Sequence, residues 1–262
     1  MRIRRLGWSG LEVVQDGASL LVDYILDTSQ LPLRDDQQTF PAAAQPPRAV
    51  AALLTHLHAD HADPVALAAA LRGRGPVLRP EAVAGSGPDA ELTAHAEAAF
   101  RTVDLDARIV EAWTSHEVGP FTLHALPAVD GFGDPQVSWI VEAGGRRVLH
   151  AGDTLFHGYW WRIARRHGPI DHVFLPINGA LVDFPFLQPP RDREAVMSPE
   201  EAAQAAHMLG ARAVTPIHYG ALHRPPGYVE TDDAVARLGS AGEALGLDVQ
   251  VREPGEWVEL DL

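Results

Sequence analysis

An α/β fold, with two packed β-sheets covered by helices, is the architecture this sequence predicts, and three observations point to it. Short apolar runs bounded by Gly, Pro or polar clusters recur in both halves of the chain, as buried strands do. Segments with helix periodicity and recognisable caps fall between them. The chain also has 262 residues and 46% hydrophobic content, enough to bury a substantial core.

Each element can be justified in order. "SLLVDYI" from Ser19 and "AVAALLTH" from Ala49 read as buried strands, and the Pro-rich, polar "TSQLPLRDDQQTFPAAAQPPR" between them reads as a loop. Asp63 before Pro64 is an N-cap with proline at the first helical position, so "PVALAAALRG" is expected as a short helix running to Gly73. In the second half "FTLHALPAV", "VSWIVEAGGRRVLHAGDT", "HVFLPI" and "AVTPIHYG" are strand candidates, with "EAGGRR" as a hairpin turn. "SPEEAAQAAHMLG" carries a capping box, Ser198 with Glu201, and places Ala202, Ala205, Ala206 and Leu209 on one helix face. A last helix is expected after Thr231, where Val235, Leu238, Gly242 and Leu245 share helical spacing.

Composition removes several chemistries. The absence of cysteine excludes disulfides, thiolate metal sites, iron–sulfur clusters and cysteine nucleophiles, so any metal must be held by nitrogen and oxygen. All 21 basic residues are arginine, which excludes Schiff-base lysines and the phosphate-loop lysine. A formal charge of -14 repels polyanions, so a small-molecule substrate is expected and nucleic acid is not. No apolar run approaches the roughly 20 residues that cross a bilayer, and no apolar signal core follows "MRIRRLGWSG". The expectation is a cytoplasmic protein.

The densest signal is "LLTHLHADHAD", Leu53 to Asp63, with three histidines and two aspartates directly after an apolar run. His56 and His58 are two apart, so at the extended end of a strand they would point the same way, toward one ion. Asp60 and His61 follow on the turn before the Pro64 helix and would face a neighbouring position. One short segment can thus serve two ions.

These residues resemble the signature of the metallo-β-lactamase-fold hydrolase superfamily, in particular the branch of L-ascorbate-6-phosphate lactonase and N-acylphosphatidylethanolamine phospholipase D. The resemblance covers nearly the whole chain in order: Asp23 in "LLVDYI", "THLHADH", Asp153 in "HAGDT" and His218 in "PIHYG". It implies one domain over residues 1–262, a four-layer αβ/βα sandwich of two mixed sheets flanked by helices, with a two-metal site at one sheet edge. By that analogy one ion takes His56 and His58, the other takes Asp60, His61 and His218, and Asp153 bridges both. The family usually supplies a further histidine from a "P-A-x-H" segment. Here "LPAVDGFGD" places Asp130 there, with Asp134 as another candidate, and a carboxylate is shorter and harder than an imidazole. Two divalent cations against Asp60, Asp130 and Asp153 leave one positive charge, so the extra carboxylate should weaken the ions as Lewis acids. Zinc leads the expectation for the two ions, with manganese or iron also suited to three carboxylates and four imidazoles.

The chemistry expected is hydrolysis of a small ester, lactone, amide or phosphodiester by a water activated between the ions, with Asp60 orienting it and shuttling its proton. Asn178 in "LPING" and His223 beyond "PIHYG" are the candidate substrate contacts, and Arg191 and Arg193 could meet an anionic group. His150 is expected as a packed strand histidine that can also brace a ligand. "HGYWWRIARRHG", with Trp160 and Trp161, is expected to bury its tryptophans against a sheet rather than bind a membrane. Three alternatives stay open: a non-hydrolytic binding protein with a decayed site, a phosphodiesterase or nuclease, and oxygen chemistry at a di-iron centre. Oligomeric state is not legible.

Overall fold

The computed structural model describes residues 1–31, 33–34, 40–43, 49–85, 87–186 and 193–260. Arg191 lies outside the described residues. Two seven-stranded sheets stack face to face. The first contains β1 (Arg2–Arg5), β2 (Leu11–Gln15), β3 (Ala18–Val22), β4 (Ala49–Leu53), β5 (Val77–Arg79) and β6 (Ala107–Ile109). The second contains β7 (Ser115–Val118), β8 (Phe121–Pro127), β9 (Val137–Ala143), β10 (Arg146–His150), β11 (His172–Pro176), β13 (Ala213–Ile217) and β15 (Asp248–Val249). A small ribbon pairs β12 (Leu181–Val182) with β14 (Tyr228–Val229). The last strand, β16 (Trp257–Glu259), returns to the first sheet beside β1, so the chain's end closes the half in which it began.

The apolar faces explain the layering. Ile3, Leu11, Val13 and Leu20 from the first sheet meet Phe121, Leu123, Trp139 and Phe174 from the second in one buried cluster. The outer face of the first sheet is covered by α1 (Pro64–Leu71) and α2 (Ala94–Phe100), through Leu67, Leu71 and Ala96 on Leu21 and Ala52. The outer face of the second is covered by α3 (Trp160–His167), α4 (Pro199–Met208) and α5 (Ala234–Leu245). The result is the expected αβ/βα sandwich.

Local signals behave as their physics requires. Asp63 accepts from Ala66 N and caps α1, which ends at Leu71, two residues short of Gly73. Ser198 and Glu201 form both arms of the capping box on α4. Gly144 and Gly145, with φ of 56° and 74°, make the β9–β10 hairpin turn that needs positive φ twice. In α3 Trp160 and Ile163 are buried, and Trp160 stacks on His157 at 4.2 Å, whereas Trp161 is 63% exposed, so only one of the two tryptophans packs on the sheet. Among the described residues no helix is long and apolar enough to cross a membrane.

Candidate metal centre

Strands β3 and β4 run parallel, as do β10, β11 and β13, and their carboxyl ends meet at one edge of the sandwich. Asp23, the 55–61 segment, Asp153 and His218 follow those ends directly. The alignment of His56 and His58 by a strand pleat does not occur, because β4 stops at Leu53. Their rings converge instead through an irregular loop, with centroids 4.3 Å apart and edge to face. Asp23 holds that loop: its Oδ1 accepts from Thr55 N at 2.8 Å and its Oδ2 from Thr55 Oγ1 at 2.7 Å. His61 Nδ1 lies 2.8 Å from the same Oδ2, and His56 Nδ1 lies 3.0 Å from Thr55 Oγ1. With the hydroxyl proton given to Asp23, Thr55 accepts from His56, so both imidazoles turn Nε2 toward the cluster. Asp23 and His218 both have positive φ, 43° and 56°, a strained conformation that lets the chain leave its strand sharply.

Three overlapping groups of donor atoms lie within 4.8 Å of one another: His56, His58, Asp130 and Asp153; His56, Asp60 and His61; His61, Asp153 and His218. His56 Nε2 is 3.5 Å and His218 Nε2 is 3.7 Å from Asp153 Oδ2, so one oxygen stands between the two histidines. Asp60 Oδ2 is 3.4 Å from His218 Nε2 and 3.7 Å from His61 Nε2. Ligands about 2.1 Å from a tetrahedral ion stand about 3.4 Å from each other. These separations match that value. His56 Nε2, His61 Nε2, both ring nitrogens of His218, Asp130 Oδ2 and Asp153 Oδ1 are all buried without a hydrogen-bond partner. Partnerless atoms of this kind on five clustered side chains fit a cation far better than a packed core.

Asp130 meets the cluster in place of the expected histidine. Its Oδ1 accepts from Phe132 N at 2.6 Å and Asp134 N at 3.1 Å, which turns the partnerless Oδ2 inward. Asp134, the other candidate, sits behind His58 and receives its Nε2 at 2.8 Å. Electrostatics follow the crowding. Burial lowers the affinity of His58 for a proton, yet the Asp134 hydrogen bond and the charges of Asp130, Asp153 and Asp60 raise its pKa to about 9. His61, also opposed by burial, is raised to about 9 by Asp60 and Asp23. Burial and the charge of Asp153 push Asp130 up, with His58 only partly offsetting them.

Two supports of the centre had no readable sequence signal. Trp8, in the tight β1–β2 loop, donates its indole Nε1 to Asp60 Oδ2 at 3.0 Å, packs its ring 4.3 Å from that of His218, and accepts His218 N at its carbonyl. Gly152, with φ of 72°, lies where a Cβ would come within 2.8 Å of Gln136 Nε2 and 2.9 Å of Thr55 Cβ, so only glycine allows the turn that delivers Asp153. His150 is the packed strand histidine expected, and it also braces that turn: Nε2 donates to Ser9 O at 2.7 Å while Nδ1 accepts from Gly152 N at 3.2 Å.

A cavity of about 560 Å³ opens on His58, Asp60, Asp153 and His218. The two expected substrate contacts are not among the residues lining it. Asn178 is fully buried and donates to the Tyr228 hydroxyl at 2.8 Å, so it stands behind a residue that does line the cavity. His223 accepts from Glu230 N at 3.4 Å, and its neighbour Leu222 takes the cavity position. Arg193 is exposed on the loop before α4 and does not line the cavity.

Comparison with known proteins bears on this geometry. Residues 19–219 match the family model of the beta-lactamase superfamily domain. A UPF0173 metal-dependent hydrolase of Thermococcus onnurineus is 25% identical over 272 residues, covering 99% of this chain and 100% of that protein. Another, from Rubrobacter xylanophilus, is 38% identical over 141 residues, but the alignment spans only 52% of this chain and 50% of the relative. The solved structure of Igni18, a metallo hydrolase from Ignicoccus hospitalis, superposes with a TM-score of 0.68 at 19% identity, covering 100% of this chain and 98% of that one. At that identity it bears on the fold alone.

Proposed function

The chain belongs to the beta-lactamase superfamily, and from that membership we infer that it is a metal-dependent hydrolase. The observation that carries the reading is the set of buried, partnerless nitrogens and oxygens gathered at the edge where both sheets end. His56, His58 and Asp130 would hold one divalent ion, and Asp60, His61 and His218 a second, with Asp153 shared. Zinc leads among the candidates, since imidazole and carboxylate donors at tetrahedral spacing suit it, and manganese or iron would accept the same set. When bound, such ions supply a deprotonated water near neutral pH and positive charge for the oxyanion that develops on a small ester, lactone, amide or phosphodiester.

The chain's own groups do the rest. Asp23 fixes the ring of His61 directly and that of His56 through Thr55, so both donors are set before any ligand arrives. Asp60 lines the cavity with Oδ2 tied to Trp8, and it is held well below the usual carboxylate range by His61 and His218 despite burial. It is therefore ionised and placed to take the proton of the attacking water and pass it to the leaving group. A decayed binding site loses its motive, because Asp130 turns an unpaired oxygen into the cluster.

Metal analysis of protein purified without added ions tests the reading. About two equivalents per chain are expected, falling below about one in His56→Ala. Protein that takes up no zinc, manganese or iron on direct titration overturns it.

A further inference from the structure

The cavity carries an ordered feature that hydrolysis by itself does not require. Phe132 lies beside His58, with ring centroids 5.9 Å apart; Phe184 follows at 6.4 Å from Phe132, and Phe186 stacks on Phe184 at 5.4 Å and 27°. The three rings step from the metal cluster outward. Leu222, Val196 and Tyr228 also line the cavity. The β12–β14 ribbon builds this wall: Val182 pairs with Tyr228, Asp183 N bonds Gly227 O, and Phe184 and Phe186 follow at once. Phe132 and Phe184 are only partly buried at the margin of their cluster, and both line the cavity.

Charge points the same way. The carboxylates lining the cavity are Asp60, Asp153 and Glu91, and among the described residues no arginine lines it. Asp60 and Asp153 belong to the cluster, so away from it a pendant phosphate or carboxylate would meet Glu91 and, among the described residues, no arginine. The volume, about 560 Å³, suits one small molecule.

We propose that the substrate is a neutral molecule whose acyl chain or aromatic ring lies along the Phe132–Phe184–Phe186 ladder, with its scissile carbonyl at the cluster. The position of the cleaved bond rests on the hydrolase reading; the apolar ligand class does not. In the reaction the water oxygen bonds to the acyl carbon, the C–O or C–N bond breaks, and the water's proton leaves on the alcohol or amine, with no redox step.

The test uses the full chain loaded with zinc and compares p-nitrophenyl acetate, butyrate and octanoate with bis(p-nitrophenyl) phosphate. Burial of each added CH₂ is worth up to about fourfold, so kcat/KM should rise about tenfold or more from acetate to octanoate. The anionic phosphodiester should be turned over about 100-fold more slowly than the octanoate. Phe184→Ala and Phe186→Ala should each cut the octanoate-to-acetate ratio about fivefold. Separately, the neutral fluorophore N-phenyl-1-naphthylamine should bind saturably at one site and bind about fivefold more weakly in either variant. A flat chain-length profile with turnover intact overturns the substrate class and leaves the hydrolase reading standing. Saturable, Phe184-dependent binding of the fluorophore without turnover of any ester supports the apolar ligand class and sinks the hydrolase reading. Absence of saturable binding overturns the proposal.

Discussion

At the scale of single residues, the centre depends on groups that touch no substrate. Trp8 pins one oxygen of Asp60 and packs on His218, so it orients two of the donors on one side of the cluster at once. Trp8→Phe keeps a ring against His218 and deletes the N–H. Loss of such an outer hydrogen bond lowers metal affinity by about 10-fold or more, which competition with a chromophoric chelator would measure; unchanged affinity would show that Asp60 needs no such tether. The ligand-type residues were legible because His56, His58, Asp60 and His61 crowd one short segment. Trp8 was not, because a tryptophan beside a glycine in a short loop has the same sequence signature whether its N–H meets a carboxylate or a core carbonyl. Asn178 and His223 fall outside the lining of the cavity at the cluster for the converse reason: position after a strand sets the end of the sheet at which a residue lies, not the cavity that its side chain enters.

Elements account for stability more than for chemistry. The α4 capping box satisfies two backbone N–H groups of a helix that covers the second sheet, so Ser198→Ala should cost about 1 kcal/mol and lower Tm by about 2–4 °C in a chain of this size, without changing metal content. Strand β11 carries a pH-dependent contribution. His172, fully buried with Nε2 2.8 Å from Thr215 Oγ1 on β13, is lowered to about 4 by burial. Its ordinary value is 6.5, so the unfolded chain binds its proton first as pH falls. Stability is therefore full above about pH 6.5 and declines toward pH 4, by up to about 3 kcal/mol from this group. Urea melts at both ends of that window should show a smaller loss for His172→Gln than for the parent chain; equal losses would remove His172 from the account. Strands rich in apolar residues were readable. β1 was not, because "RIRR" presents a buried Arg5 whose Nη1 donates to Arg252 O in the segment between β15 and β16.

The whole molecule places seven donors from distant chain segments at one edge, drawn from both sheets. A cation there ties the sheets together and stabilises the folded state by mass action, about 4 kcal/mol at a thousandfold excess over Kd. Chelation should lower Tm by several degrees, and stoichiometric zinc should restore it, as calorimetry would show. A Tm indifferent to chelation, in protein shown to contain metal beforehand, would mean that the cluster is not a cross-link between the sheets.

The sequence by itself determined the α/β class, the apolar strands β3, β4, β8, β9, β10, β11 and β13, the helices α1, α4 and α5, the superfamily and the cluster of candidate ligands, because each is written in local periodicity or in a short ordered motif. The tertiary structure alone decided which oxygen of Asp130 faces the cluster, that Trp8 supports Asp60, and that an aromatic ladder forms the cavity wall. Those relations join residues from separate strands and loops, and contacts of that kind depend on how the two sheets close against each other.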